Sequence, residues 1–223
     1  MQKEQFTNAM DDFLESGPEN ASMRLILAHG AGAGMDSPFM EKMAEMLAER
    51  GIAVTRFEFG YMASRRRTGK RRPAPKAELL APEYRKVIET IAARGSGQRL
   101  LIGGKSMGGR VASLIADEML GAAHIAGLVC LGYPFHPPGM PEKLRTEHLL
   151  KLATPCLIVQ GDRDPFGNRG EVEALRLSPQ IRFHWAEDGD HDLGPRGGKG
   201  LTRRGNLEAA ADAVAAFSAE VAT

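Results

Sequence analysis

The run Arg-Leu-Leu-Ile at residues 99–102 leads without a break into Gly103-Gly104-Lys105-Ser106-Met107-Gly108-Gly109. No other stretch constrains the fold as tightly, and two readings of it compete. GKS ends the phosphate-binding loop G-x-x-x-x-G-K-[ST], while GKSMG fits G-x-S-x-G, a sharp strand-to-helix turn that presents a serine hydroxyl. The first reading needs a glycine where Arg99 stands and a flexible cradle where Leu100, Leu101 and Ile102 stand. Three large aliphatic residues belong in a strand, so the phosphate loop is set aside. The second reading needs a strand ending at Gly103-Gly104, a serine on the turn, and a helix opening at Gly108-Gly109. Val111, Leu114, Ile115 and Met119 follow at helical spacing, so the context fits.

The rest of the chain alternates in the same way. Met23–Ala28 is short and apolar, and Asp36-Ser37-Pro38 then supplies a cap and a first-turn proline. Met40, Met43, Ala44 and Leu47 share one helical face, and Gly51 stops that helix. Further strands are expected at residues 52–59, 125–131, 156–160 and 181–186. Helices are expected at residues 82–94, near 171–177, and at the C-terminus, where Leu207, Ala211, Val214 and Phe217 align. Near-continuous apolar strands between amphipathic helices predict an α/β fold: one mainly parallel sheet with helices on both faces. Neither repeats nor a second domain are expected across residues 1–223.

A serine attacks a carbonyl only when a base takes its proton and a carboxylate orients that base. With a G-x-S-x-G turn the partners follow in the order Ser, Asp or Glu, His, each just beyond a strand. His191 lies beyond the strand at 181–186, whereas His29 and His136 precede any candidate acid. His124 and His148 lie away from strand ends, and His184 is mid-strand. Beyond the strand at 156–160 come Asp162 and Asp164. Asp162 directly follows the strand-ending glycine and suits a turn, so Asp164 is favoured. Asp188, Asp190 and Asp192 imitate a calcium loop, but Leu193 and Lys199 stand where glycine and glutamate are required. Oxyanion donors are expected at the Met107 amide and in the glycine-rich loop after Ala28, at Ala31 with Gly32 as the alternative.

HGAGAGMDSPFM, GGKSMGGR, GYPFHPPG, VQGDRDPFG and GDHDL, in that order, resemble a family of small α/β-hydrolase-fold proteins. These are bacterial proteins related to dienelactone hydrolases, with animal relatives that include a subunit of a histone acetyltransferase complex. The resemblance spans roughly residues 23–220. It implies an α/β-hydrolase core with Ser106, Asp164 and His191 as its triad. It also introduces a rival role, since some relatives act as scaffolds; fold alone does not choose between the two.

Only residues 132–151 separate the strand at 125–131 from the next, so no large cap domain is expected over the serine. Phe135 and His136 are candidate substrate contacts on one wall, the alternative being a loop merely stiffened by proline. Arg65-Arg66-Arg67-Thr68-Gly69-Lys70-Arg71-Arg72 holds six of the 29 basic residues and reads as a loop that is either a recruiter of anionic substrate or simply solvated. No aromatic residue interrupts it to stack bases, and the formal net charge is +1, so nucleic acid is not expected as a partner. The N-terminus lacks the pattern of a signal peptide, and no run is long and apolar enough for a membrane span. Cys130 and Cys156 sit in apolar runs as reduced core thiols, which suits the cytoplasm. The expectation is a cytoplasmic serine hydrolase acting on a small acyl substrate, an anionic one among the options, without metal or organic cofactor. The alternative is a non-catalytic binding protein using residues 65–72 as its contact surface.

Overall fold

The computed structural model describes residues 12–198 and 200–222. Residues 1–11, on which the absence of a signal peptide was partly read, and Lys199 of the rejected calcium loop lie outside the described residues. The chain runs β1 (Leu14–Ser16), β2 (Met23–Ala28), α1 (Pro38–Glu49), β3 (Ala53–Phe57), α2 (Gly60–Thr68), α3 (Ala77–Ala92) and β4 (Arg99–Lys105). It continues with α4 (Met107–Gly121), β5 (Gly127–Leu131), a 3-10 turn (Glu147–Leu150), β6 (Cys156–Gly161), α5 (Arg169–Glu173), β7 (Ile181–Ala186) and α6 (Arg203–Val221).

The strands form one sheet in the order β1-β3-β2-β4-β5-β6-β7, parallel throughout except for β1 on β3. Alternation along each strand sends residues to opposite faces. Leu25, Leu27, Leu101, Val129 and Val159 meet Met40, Met43 and Leu47 of α1 and Leu207, Ala211 and Val214 of α6. Ile26, Ile102, Leu128 and Ile158 meet Tyr84, Val87 and Ile88 of α3 and Val111 and Ile115 of α4. Each fully buried aliphatic side chain contributes roughly 1.5–3 kcal/mol, so this double-sided packing is what holds the sheet. Tyr84 Oη lies 2.6 Å from both Ile26 O and Gly103 O and accepts from Gly103 N–H, pinning β2 to β4 just below the serine turn.

The fold departs from the sequence reading in several places. β4 runs through Gly103 and Gly104 to Lys105, because both glycines pair with β2 and β5. α3 begins at Ala77, leaving Pro82 inside the helix and not at its start. β1 was not expected: three residues of mixed polarity carry no periodicity, and the strand is held at the edge by Glu15, which takes Arg24 and Arg94 and accepts from the Thr55 hydroxyl. Arg65, Arg66 and Arg67 form the last turn of α2 and are not a loop. Cations at a helix C-terminus are favoured by its dipole. The connection at residues 132–146 folds down onto the sheet, burying Tyr133 and Phe135, so among the described residues no cap domain covers the C-terminal edge.

Candidate active site

The chain leaves β2 for β3 on one side and returns to β4 on the other. In a parallel sheet such a reversal opens a crevice beyond the strands' C-terminal ends. His29 and the glycine-rich loop leave β2 here, and Ser106 leaves β4 beside them. Ser106 adopts φ 52° and ψ −116°, a conformation that costs a non-glycine residue about 1–3 kcal/mol. The turn is held by Ser106 N–H donating to Leu131 O at 2.9 Å and Arg110 N–H to Ser106 O at 3.1 Å. Room for it exists only because Gly104 has no side chain: a Cβ there would meet Gly108 C at 2.4 Å and Gly109 N at 2.6 Å.

Around Ser106 three side chains stand in a row. His191 Nε2 lies 2.9 Å from Ser106 Oγ, and His191 Nδ1 lies 2.8 Å from Asp164 Oδ2. A carboxylate only accepts, so Nδ1 carries the proton and Nε2 is left to accept from the serine hydroxyl. Asp164 is fully buried. Its Oδ1 accepts from Phe166 N–H at 2.8 Å and its Oδ2 from Gln160 Nε2 at 3.0 Å. Asp162 instead accepts from Asp188 N–H. The acids near His191 are also occupied: Asp188 by Arg163 and Arg196, Asp190 by the Asp192 and Gly194 amides, Asp192 by Lys105.

The loop after β7 reaches the serine by crossing tightly over β6. A Cβ on Gly161 would lie 2.3 Å from Asp190 O and 2.4 Å from Gly189 O. Lys105 holds the same loop from below, donating to His191 O at 2.6 Å and pairing with Asp192 at 3.2 Å. Burial pushes the Lys105 ammonium below its ordinary value, and Asp192 counteracts that. The Phe166 ring tilts against His191 with centroids 4.3 Å apart.

Ala31 and Gly32 lie beside Ser106, and their amides, like that of Met107, make no hydrogen bond among the described residues. The backing of this loop comes from α2: Tyr61 Oη donates to Ala31 O at 3.1 Å and Arg65 to Gly32 O at 3.0 Å. His29 anchors its start, with Nε2 accepting from Phe59 N–H at 3.1 Å and Nδ1 donating to Gly30 O at 2.6 Å. Burial lowers the His29 pKa to about 4, so it stays neutral.

Phe135 and His136 are not on this wall. Phe135 packs against Tyr133 and Phe183, His136 binds Pro137 O and Glu171, and both border a separate cavity of about 190 Å³. The apolar ring is better placed under the sheet's flank than in water, which turns the pair inward. Residues 65–72 likewise border neither cavity beside Ser106. Gln160, by contrast, was overlooked, although a lone amide in the strand Cys156–Gly161 was a visible signal that a buried polar group needs partners. It donates to Asp164, Tyr133 O and Gly167 O and accepts from Tyr133 N–H.

Two cavities flank Ser106. One, of about 770 Å³, is bordered by Phe39, Met40 and Leu207 with Lys42, Lys105 and Arg203. The other, of about 500 Å³, lies toward α3 and α4. Among the described residues no cluster of His, Cys, Asp or Glu is arranged to hold a metal ion, and no helix is long and apolar enough to cross a membrane.

A mostly parallel sheet with helices on both faces and a serine on a strained turn at its C-terminal edge defines the α/β-hydrolase class. The chain belongs to the Alpha/beta hydrolase domain family, whose pattern matches residues 21–219. Among solved structures it is similar to a dienelactone hydrolase from Anabaena variabilis, with 21% identity, TM-score 0.70, and 93% of this chain and 90% of that one covered. It is also similar to Est1E from Butyrivibrio proteoclasticus, with 17% identity, TM-score 0.69, and 94% and 93% covered. A Xanthomonas campestris protein described as an α/β serine hydrolase without a lid matches at 21% identity and TM-score 0.58, over 82% of this chain and 80% of that one. At these identities the likeness is one of fold.

Proposed function

We propose that the protein is a serine hydrolase that cleaves a small ester or thioester through Ser106, His191 and Asp164. The observation that carries this reading is the unbroken row from buried Asp164 through His191 to Ser106, at 2.8 and 2.9 Å. As Ser106 Oγ bonds to the acyl carbon, its proton passes to His191 Nε2, and Asp164 stabilises the imidazolium. The carbonyl oxygen becomes negative and takes hydrogen bonds from the amides of Met107 and Ala31, with Gly32 as the alternative second donor. His191 then gives its proton to the departing alkoxide or thiolate, leaving the acyl group on Ser106. Water, deprotonated by His191, attacks that ester, and collapse releases the acid and restores the serine. These steps are complete with the chain's own residues. The free, buried thiols of Cys130 and Cys156 support a cytoplasmic setting.

A second reading, a binding protein on the same fold, is favoured by Arg67, Lys70, Arg71 and Arg72, which are exposed and make no ion pair among the described residues. The resemblance to animal proteins with roles in complexes points the same way. Labelling with a fluorophosphonate, mapped by mass spectrometry, separates the two. Modification of Ser106 in the wild type and its loss in His191→Ala is the expected result. A folded wild-type protein that takes up no label removes the hydrolytic reading.

A further inference from the structure

The 500 Å³ cavity is bordered by Ser106 and Met107 together with Lys76, Arg110 and Arg145. Arg110 donates to Glu78 at 2.5 Å, yet its Nε is buried with no hydrogen-bond partner. The Arg145 guanidinium makes no hydrogen bond or ion pair among the described residues. Its backbone, however, is fixed: Arg145 N–H donates to Phe135 O at 2.8 Å, and the Tyr133 hydroxyl donates to Arg145 O at 2.9 Å. A partly buried cation held in place beside a second cation is costly unless an anion arrives to meet it. Burial, and then the nearby Arg110 charge, push Arg145 below its ordinary value, as two crowded guanidinium groups should behave.

The surrounding backbone has the same polarity. The N-terminus of the sixteen-residue helix α3 opens onto this cavity with no side-chain cap, and the N-terminus of α4 opens onto it at Met107. Both place partial positive charge there. Glu78 is the one acid on the cavity wall, and it is taken by Arg110. One guanidinium, Arg145, is thus left without an ion-pair partner of its own, the Glu78 charge reaching it only from a distance, and its planar fork matches a carboxylate.

We propose that this cavity is an anion subsite and that the substrate carries a carboxylate bound by Arg145, with Arg110 beside it. The inference rests on the hydrolytic reading of Ser106 and specifies its substrate class. It also moves anion recognition away from residues 65–72, of which Arg65 and Arg66 are already tied to Gly32 and Glu58.

The test compares kcat/KM for two pairs of esters. One pair is the p-nitrophenyl monoester of glutarate against p-nitrophenyl butyrate; the other is 4-carboxyphenyl acetate against phenyl acetate. The first puts the carboxylate on the acyl part, the second on the leaving group. In the wild type at least one pair should favour the anionic ester. In Arg145→Gln that anionic-to-neutral ratio should fall about ten- to hundredfold, the loss expected for a charge-assisted hydrogen bond. Arg145→Lys, which keeps the charge and loses the fork, should recover part of it. Turnover with both ratios unmoved by Arg145→Gln overturns the subsite and leaves the hydrolase standing. No turnover of any ester, together with no fluorophosphonate labelling, overturns the hydrolase and the subsite with it.

Discussion

Ser106 is held at φ 52° by its neighbours and not by its own preference. Ser106→Gly should therefore raise stability by about 1 kcal/mol, since glycine adopts this conformation freely, while abolishing fluorophosphonate labelling. Thermal unfolding and labelling measured side by side check both halves. Gln160 illustrates the opposite case, a side chain that never meets the cavity yet supports the site. Gln160→Leu strands Tyr133 N–H and Gly167 O in the interior, and it leaves Tyr133 O with only Phe135 N–H and Asp164 Oδ2 with only His191. Each stranded buried group costs about 1–3 kcal/mol, so a loss of roughly 2–6 kcal/mol is expected in urea unfolding, with a lower kcat in whatever remains folded. The serine was legible because its glycines leave a local signature. The four partners of Gln160 were not, since they come from two loops that only the folded sheet brings together.

At the scale of elements, the site depends on three loops leaving β4, β6 and β7 at matching heights. Gly161→Ala would push its Cβ into the Asp190 and Gly189 carbonyls and displace the segment that carries His191. Because productive geometry tolerates little displacement, the labelling rate of Ser106 should drop at least ~10-fold while most of the fold survives. Circular dichroism and labelling kinetics on the same sample separate the two effects. Strand and helix positions were largely readable from periodicity, β2 and β7 to the residue. β1 was not, because a three-residue edge strand has no period to read. The helical half of the arginine run was hidden as well, since Arg65–Thr68 shows no apolar face and is helical only because Met62 and Ala63 anchor the turn before it.

Across the whole molecule, histidines withdrawn from water, His29 fully and His148 and His184 in part, set the acid side of stability. Burial takes both His29 and His148 from an ordinary 6.5 to about 4 and lowers His184 as well. Between those values the unfolded chain binds protons that the folded chain refuses, so stability falls as pH drops from about 6.5 to about 4. Glu58 works against this trend, because burial raises its carboxyl and the folded state then holds a proton more readily. The midpoint of thermal unfolding should decline over that window. His29→Asn should be less stable at neutral pH yet decline less steeply, because one of the refused protons is gone. Equal slopes in variant and wild type would remove His29 from this account.

The sequence by itself determined the parallel sheet, the strained serine turn and the chain order in which acid and histidine candidates follow it. These are local matters of period, glycine spacing and the ends of strands, and neighbouring residues decide them. Only the tertiary structure decided which of five nearby aspartates faces His191, that Phe135 and His136 turn inward, and that Arg110 and Arg145 border the same cavity as Ser106. Those outcomes depend on how loops far apart in the chain compete for the same space and the same hydrogen bonds. That competition exists only once the sheet has set their heights.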